Sequence, residues 1–250
     1  MKQNANLLYI EEHLGCKNYI KENNVGFSSQ TFTKNNAVDL NLKKEFVVVF
    51  VLTGRLSISD NNKQTIILTK REIGLLTNYS TYQILPKTDC TVVFLYFERP
   101  NSRCEMLAFE SMADKVSKKD NKKIRKLPMK KPVTDFLKSV LFYLNEKMNC
   151  RHLHDIKETE LLFLIRGFYP KEDVIQFFTP VIHSLNSFNN VVRANYLKVK
   201  TVNELASICN MSTKTLTRRF LSEFGETPKQ WIMREKSKYD NKPKKHALNV

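Results

Sequence analysis

Three hydrogen-bond donors, Lys214, Thr217 and Arg218, lie close together near the C-terminal end of the sequence. At about 100° per residue they cluster on one face of a helix, away from Leu216 and Phe220, an apolar pair stacked four residues apart. A helix that buries the apolar pair therefore holds the donors toward solvent. In the major groove of DNA, Arg and Lys donate two hydrogen bonds to guanine, and Thr meets polar base edges or a thymine methyl. This face suits such hydrogen-bonding chemistry.

Two short helices joined by a tight turn are predicted to position this face. Thr201 caps the first helix, and Glu204 three residues later completes a capping box. One buried helical face is indicated by apolar residues at i, i+3, i+4 and i+7, which are Val202, Leu205, Ala206 and Cys209. Asn210 and Met211 make the turn, and Ser212 is the N-cap of the second helix. The stretch is predicted to be a helix-turn-helix.

The end of this unit is also marked by local signals. Gly225 suits the position just beyond the second helix, where a left-handed conformation ends many helices. Thr227 and Pro228 then start a third helix, with a cap followed by proline at its first position. Trp231 closes the unit.

At these residues the sequence resembles the AraC family of bacterial transcription regulators, whose first DNA-binding half shows LAxxxxMSxxTLxRxF followed by GxTPxxW. The matching residues are Leu205-Ala206, Met211-Ser212, Thr215-Leu216, Arg218, Phe220, Gly225, Thr227-Pro228 and Trp231. The resemblance implies a sequence-specific regulator that binds double-stranded DNA. It also implies base contacts from Lys214, Thr217 and Arg218.

Phosphate contacts are expected around the start of the second helix. Ser212, Thr213 and Thr215 place hydroxyl and backbone N–H groups at a helix N-terminus, which suits an anion. Arg219 and Lys229 are weaker candidates for phosphate contact.

The family pattern contains two helix-turn-helix halves, and only the first is recognisable here. Residues 239–250 contain Pro243 and have no apolar periodicity, so we predict a basic disordered tail. A single half would bind DNA weakly unless a second copy supplied another recognition helix. The alternative is a truncated dimerisation partner, a decoy that modulates a full-length relative.

Size and charge agree with a DNA-binding regulator. The chain has 250 residues, 42% of them apolar, and a formal net charge of +16, which favours a polyanionic partner. Acidic residues precede any apolar run long enough for a signal peptide, and five scattered cysteines indicate reduced thiols. A cytoplasmic protein without a membrane partner is expected.

The region from Val25 to Phe97 is predicted to form antiparallel strands, because short β-branched and aromatic runs alternate with polar turns. The run Phe46–Leu52 is the clearest strand. A small antiparallel β-barrel or jelly roll is the predicted closure, and the AraC resemblance implies a cupin-like domain that senses a ligand or mediates assembly. The whole chain is therefore assigned to the α+β class.

Enzymatic chemistry is not supported by the sequence. Metal-dependent cupin enzymes need several converging His or carboxylate ligands, and no histidine lies between Gly15 and Arg151. We therefore predict no catalytic residue, no metal and no cofactor, with a cupin-type enzyme as a remote alternative. An apolar pocket for an unknown small-molecule effector has four candidate lining residues, although such residues more often form barrel core: Tyr79, Tyr82, Phe94 and Tyr96.

The middle of the chain is predicted to be a basic linker followed by helices. Nine basic residues and one acidic residue lie between Lys115 and Lys131, which is interpreted as a solvated linker. The next helix carries an apolar stripe that could pack on the barrel, but the AraC resemblance implies a helix pair between subunits. We therefore assign the stripe to homodimerisation, or to heterodimerisation with a full-length relative, through Val133, Phe136, Leu137, Val140, Leu141 and Leu144. Cys150, His152 and His154 are interpreted as a polar loop rather than a metal site.

The sequence therefore predicts five segments. They are a cupin-like regulatory domain at 1–114, a basic linker at 115–131, a helical linker and dimerisation region at 132–196, a helix-turn-helix at 197–238 and the basic tail at 239–250.

Overall fold

The computed structural model describes residues 8–21, 24–61, 64–116, 124–185 and 188–240. The chain divides into two compact units, the first ending at His183 and the second beginning at Ser184. Within the described ranges, no helix is both long enough and apolar enough to cross a bilayer.

Among its described residues, the first unit has a short helix, α1 (Ile10–Gly15), followed by nine strands. These are β1 (Gly26–Phe32), β2 (Val38–Leu42), β3 (Phe46–Thr53), β4 (Arg55–Asp60), β5 (Thr65–Thr69), β6 (Glu72–Leu76), β7 (Ser80–Pro86), β8 (Cys90–Phe97) and β9 (Ile124–Pro128). Its helices are α2 (Arg103–Glu110), α3 (Lys131–Asn145), α4 (Arg151–Phe168) and α5 (Lys171–Leu185), and a 3-10 turn covers Ala113–Lys115.

The strands form two antiparallel sheets with a core between them. One sheet has the order β1-β8-β3-β6-β9 and the other β2-β7-β4-β5. Alternate residues of β3, such as Val47 and Val49, enter the core between the sheets, while Val48 and Phe50 are buried on the opposite face. Burial on both faces explains why this strand is an unbroken apolar run. The mixed α+β class and the antiparallel sheets are confirmed, but the predicted closed barrel is an open double-sheet sandwich.

The segment interpreted as a solvated basic linker contributes a strand to this sandwich. Strand β9 pairs with β6, for example through Ile73 and Leu127, and it buries Arg125. The Arg125 guanidinium donates to the carbonyl of Gln176 at 2.7 Å. The linker prediction is therefore wrong for residues 124–128, because basic side chains are bound to neighbouring elements; residues 117–123 lie outside the described ranges.

The apolar stripe assigned to dimerisation is largely covered inside the first unit. Val133, Phe136, Leu137 and Val140 are buried, and the Phe136 ring lies 5.8 Å from the ring of Phe27 in β1. This assignment is wrong for these four residues, because α4 and β1 already pack against α3. Leu141 and Leu144 are only half-buried.

The residues interpreted as a polar loop instead begin a helix. Cys150 precedes α4, His152 is exposed in its first turn, and His154 is buried. The Nδ1 atom of His154 accepts a hydrogen bond from the Phe27 N–H at 2.8 Å, so this histidine ties α4 to β1. Across the described ranges, no group of three or more His, Cys, Asp or Glu side chains is placed to hold a metal ion.

The four aromatic residues considered for an effector pocket lie in two different environments. Tyr82, Phe94 and Tyr96 belong to the core between the sheets. Tyr79 is 72% exposed in a turn with a φ of 52°, so it does not line an interior pocket.

Candidate nucleic-acid interface

The described part of the second unit contains four helices packed around an aromatic centre. They are α6 (Phe188–Asn195), α7 (Val202–Ile208), α8 (Thr213–Phe224) and α9 (Pro228–Asp240). The rings of Phe220 and Phe224 stack at 4.3 Å, and Trp231 contacts both. Phe188 packs edge-on to Phe220 at 5.8 Å, so α6 belongs to this unit and the boundary falls before residue 184 rather than after residue 196.

Helix α7 begins and ends as the sequence predicts. The Thr201 hydroxyl accepts from the Glu204 N–H at 3.2 Å and donates to the Glu204 carboxylate at 3.1 Å. A hydrogen bond from the Lys200 N–H lowers the pKa of Glu204, with Thr201 contributing in the same direction. Asn210 adopts a left-handed φ of 52° in the turn, a conformation that Asn tolerates better than most residues.

Helix α8 is bounded by the two predicted signals. Ser212 accepts from the Thr215 N–H at 3.2 Å, and Gly225 adopts a left-handed φ of 73° at the C-terminal end. Leu216 and Phe220 are completely buried, which fixes the rotation of the helix about its own axis.

The predicted donors lie on the opposite side of α8. Lys214 and Arg218 are exposed, and neither side chain forms a hydrogen bond or ion pair with another residue in the described ranges. Thr217 is half-buried, and its hydroxyl donates to the Thr213 carbonyl at 2.9 Å. This bond restricts the side chain, while the hydroxyl oxygen can still accept a hydrogen bond.

The hydroxyls at the start of α8 bond mainly to one another and to α7. Ser212 and Thr215 are joined by a 2.9 Å hydrogen bond between their side chains. Thr213 donates to the side-chain oxygen of Asn203 at 2.9 Å. The sequence does not predict this role of Asn203, because an exposed Asn in the first turn of a helix is common. Its proximity to Thr213 becomes visible only in the structure.

The two weaker phosphate candidates differ in their surroundings. Arg219 pairs with Glu223 at 2.8 Å and lies over the Phe188 ring at 4.6 Å, so it serves the unit's own structure. Lys229 is exposed in the first turn of α9. This third helix extends through Asp240, two residues into the predicted tail, and residues 241–250 lie outside the described ranges.

The acidic residues near α8 are neutralised locally. Glu223 pairs with Arg219, and Arg234 pairs with Glu226 and Glu235. From residue 184 to 240 there are ten basic residues against five acidic ones. Because basic residues outnumber acidic ones two to one and three of the five acids are paired with Arg, the exposed surface of this unit carries a positive potential.

A capped helix-turn-helix with free donors on its second helix, following a double-sheet unit, defines a DNA-binding regulator. Residues 192–233 match the family of AraC-type bacterial regulatory helix-turn-helix proteins. Residues 46–177, more than half of the chain, match the ExsA N-terminal regulatory domain. The chain belongs to the AraC family of bacterial regulators, and it is a DNA-binding regulator of transcription.

Three solved structures show the range of more distant similarity. ToxT from Vibrio cholerae, bound to (E)-4-(8-methylnaphthalen-1-yl)but-3-enoic acid, is 11% identical over 83% of this chain and 98% of its own, with a TM-score of 0.38. YhaK from Escherichia coli is 15% identical over 41% of each chain, with a TM-score of 0.31. A putative ethanolamine utilization protein from Salmonella typhimurium is 12% identical over 29% of this chain and 56% of its own, with a TM-score of 0.26. No curated protein sequence matches this chain significantly.

Proposed function

We propose that this regulator reads its operator by inserting α8 into the major groove, with Lys214 and Arg218 contacting base edges and Thr217 packing between them. The observation that carries the proposal is the exposed, unpaired state of the two cations on the face opposite Leu216 and Phe220. Free donors in this position can each make a bidentate contact with guanine.

Phosphate contacts would set the depth of α8 in the groove. We propose that the start of α8, with Ser212, Thr213 and Thr215, faces one phosphate and that Lys229 reaches another. Helix N-termini attract phosphate through free N–H groups and the helix dipole. Because Arg219 is paired with Glu223, we expect it to contribute less than Lys229.

The test begins with a duplex selected by the wild-type chain from a random pool. The double variant Lys214→Ala, Arg218→Ala should lose specific binding to that duplex at fixed salt. Arg219→Ala is the matched control, since it removes the same charge from the adjacent position and should retain most of the affinity. Equal binding by the double variant and wild type would refute readout by α8.

The phosphate proposal has a separate signature. Lys229→Ala should weaken binding to selected and random duplexes alike and lower the slope of log affinity against log salt by about one unit. An unchanged slope would remove Lys229 from the interface.

We also propose that a second copy of the chain supplies a second recognition helix. One half-module makes few contacts, and two joined modules raise affinity through effective concentration. Since most of the α3 stripe is buried, the better candidate surface is on α4, where Ile156 and Phe163 are 65% and 50% exposed and seven residues apart on one helical face.

Sedimentation of Ile156→Glu and Phe163→Glu variants tests this surface. Both should shift a dimer toward monomer, whereas Leu107→Glu, a control at an exposed apolar position on α2, should not. A decoy that pairs with a full-length relative would form the same dimer but leave its DNA affinity unaffected by Lys214→Ala and Arg218→Ala.

A further inference from the structure

A polar cavity of about 440 Å3 lies in the first unit, where the ends of two strands meet the start of a helix. Gly26 at the start of β1 and the residues around Glu98 after β8 form one side. The first two turns of α4, from Arg151 to Glu158, form the other. Neither the DNA-binding surface nor the core between the sheets accounts for a cavity of this size.

The cavity carries more acidic than basic groups. Four carboxyl groups line it, from Glu45, Glu98, Asp155 and Glu158, against the guanidinium groups of Arg99 and Arg151. None of these carboxylates forms an ion pair within 4 Å with a described Lys, Arg or His. The cavity is therefore better suited to a cation than to an anion.

The interior of the cavity offers a polar group that the protein itself leaves unused. Tyr96 is 7% exposed and lines the cavity, and its hydroxyl has no hydrogen-bond partner among the residues that the structure describes. The hydroxyl oxygen is not closed off from solvent, so it stays available to a ligand that enters the cavity. Burial, with the nearby Glu45 carboxylate adding to it, raises the pKa of Tyr96 to about 12, so the hydroxyl stays protonated.

His154 supplies a second neutral group that lines the cavity. Its Nδ1 accepts from the Phe27 N–H, so in the neutral ring the proton lies on Nε2. Burial, assisted by the Arg151 guanidinium, lowers the pKa of His154 to about 4, so the ring is neutral at pH 7.

The floor of the cavity is a buried carboxyl held in a fixed orientation. Glu158 is 4% exposed, and its two oxygens accept from the N–H and the side-chain amide of Asn101 at 3.1 and 2.6 Å. Asn101 also donates to Asp155 at 3.1 Å, so the two carboxyl groups are held close together. The Asn101 amide bridges the two carboxyl groups, and neither of them is paired with a cation of the described residues.

We propose that this cavity binds a small aliphatic amine, whose ammonium group is received by Glu158 and Asp155. The inference rests on the proposed function only in making the amine an effector of this regulator, since binding itself does not require DNA. The ammonium group would donate charge-assisted hydrogen bonds to these carboxyl groups, while the Tyr96 hydroxyl can accept from a second polar group on the ligand.

Binding should be coupled to the release of a proton. Burial raises the pKa of Glu158 to about 8; the Asn101 N–H opposes this shift and Asp155 adds to it. At pH 7 the empty cavity therefore holds Glu158 mostly protonated. An ammonium group beside it favours the ionised form, so the proton passes to the buffer as the amine binds.

The probe is 1,4-diaminobutane, titrated calorimetrically into the full chain without DNA, in two buffers of different ionisation enthalpy. A Glu158 carboxyl that ionises fully should release about 0.9 proton per amine at pH 7 and about 0.1 at pH 9. Butane-1,4-diol, the neutral isostere, should not bind. The inference is overturned if the diol binds equally, if no binding heat appears at millimolar amine, or if proton release is absent at pH 7.

The matched variants change the same chemical group inside and outside the cavity. Glu158→Gln should weaken amine binding about tenfold or more and abolish proton release, whereas Glu160→Gln, on the same helix but outside the cavity, should leave both unchanged. Proton release by the wild-type chain stands as a test even if Glu158→Gln folds poorly. Loss of amine binding with DNA binding intact refutes only this inference and leaves the DNA-binding proposal standing.

Discussion

Replacing Glu158 with glutamine is expected to reverse the pH dependence of stability of the first unit between pH 6 and 8. Burial raises the pKa of this carboxyl from 4.5 to about 8. Between these values the folded state keeps a proton that the unfolded state has lost, so the free energy of unfolding falls as the pH rises. His154 acts in the opposite direction, because burial lowers its pKa from 6.5 to about 4. Between these two values the unfolded state binds the extra proton, so the free energy of unfolding increases as the pH rises toward and past 6.5.

The two contributions differ enough to give a measurable slope. One pKa unit corresponds to about 1.4 kcal/mol. Between pH 6 and 8, the Glu158 contribution therefore lowers the free energy of unfolding by about 2 kcal/mol, while the His154 contribution raises it by about 1 kcal/mol. The wild-type unit should therefore lose between about 1 and 2 kcal/mol over this range. The Glu158→Gln variant retains only the histidine contribution and should gain about 1 kcal/mol.

Urea unfolding followed by circular dichroism at pH 6, 7 and 8 measures these slopes. Trp231, the only tryptophan of the chain, belongs to the second unit, so its fluorescence identifies that unit's transition and leaves the other for the first unit. Glu160→Gln should keep the wild-type slope. Identical slopes for wild type and Glu158→Gln would refute the assignment of a buried, protonated Glu158.

Three further predictions concern the second unit and are followed by Trp231 fluorescence. Phe220→Ala should destabilise it by about 3 to 5 kcal/mol, because a fully buried ring is removed from the aromatic centre; a loss below about 1 kcal/mol would contradict that packing. Thr201→Ala should cost about 1 kcal/mol by removing the cap of α7, and Thr201→Ser should restore most of it. Gly225→Ala should cost about 1 kcal/mol because its φ of 73° is left-handed, whereas an unchanged stability would place the helix end elsewhere.

The helix-turn-helix could be predicted from the sequence because its determinants are local. The caps at Thr201 and Ser212, the apolar spacing of Leu216 and Phe220 and the glycine at position 225 all act within one or two helical turns. Such signals need no knowledge of distant contacts. The exposed face with Lys214 and Arg218 follows directly from them.

The first unit was harder to predict because its pairings are distant in sequence. Strand β9 looks like a basic linker until β6, about fifty residues earlier, supplies its hydrogen-bond partners. An apolar stripe on α3 predicts burial but does not say whether the cover is β1, α4 or another subunit. The role of His154 depends on the N–H of Phe27, 127 residues away, which no local pattern indicates.

The central claim is that the exposed face of α8 reads base pairs, and a position-by-position binding profile tests it most directly. Each base pair of a duplex selected by the wild-type chain is changed in turn, and affinities are measured for wild type, Arg218→Ala and Arg219→Ala. Arg218→Ala should lose about 1 to 3 kcal/mol of discrimination at one position and keep it elsewhere, while Arg219→Ala keeps the full profile. A full wild-type profile in Arg218→Ala would contradict the account.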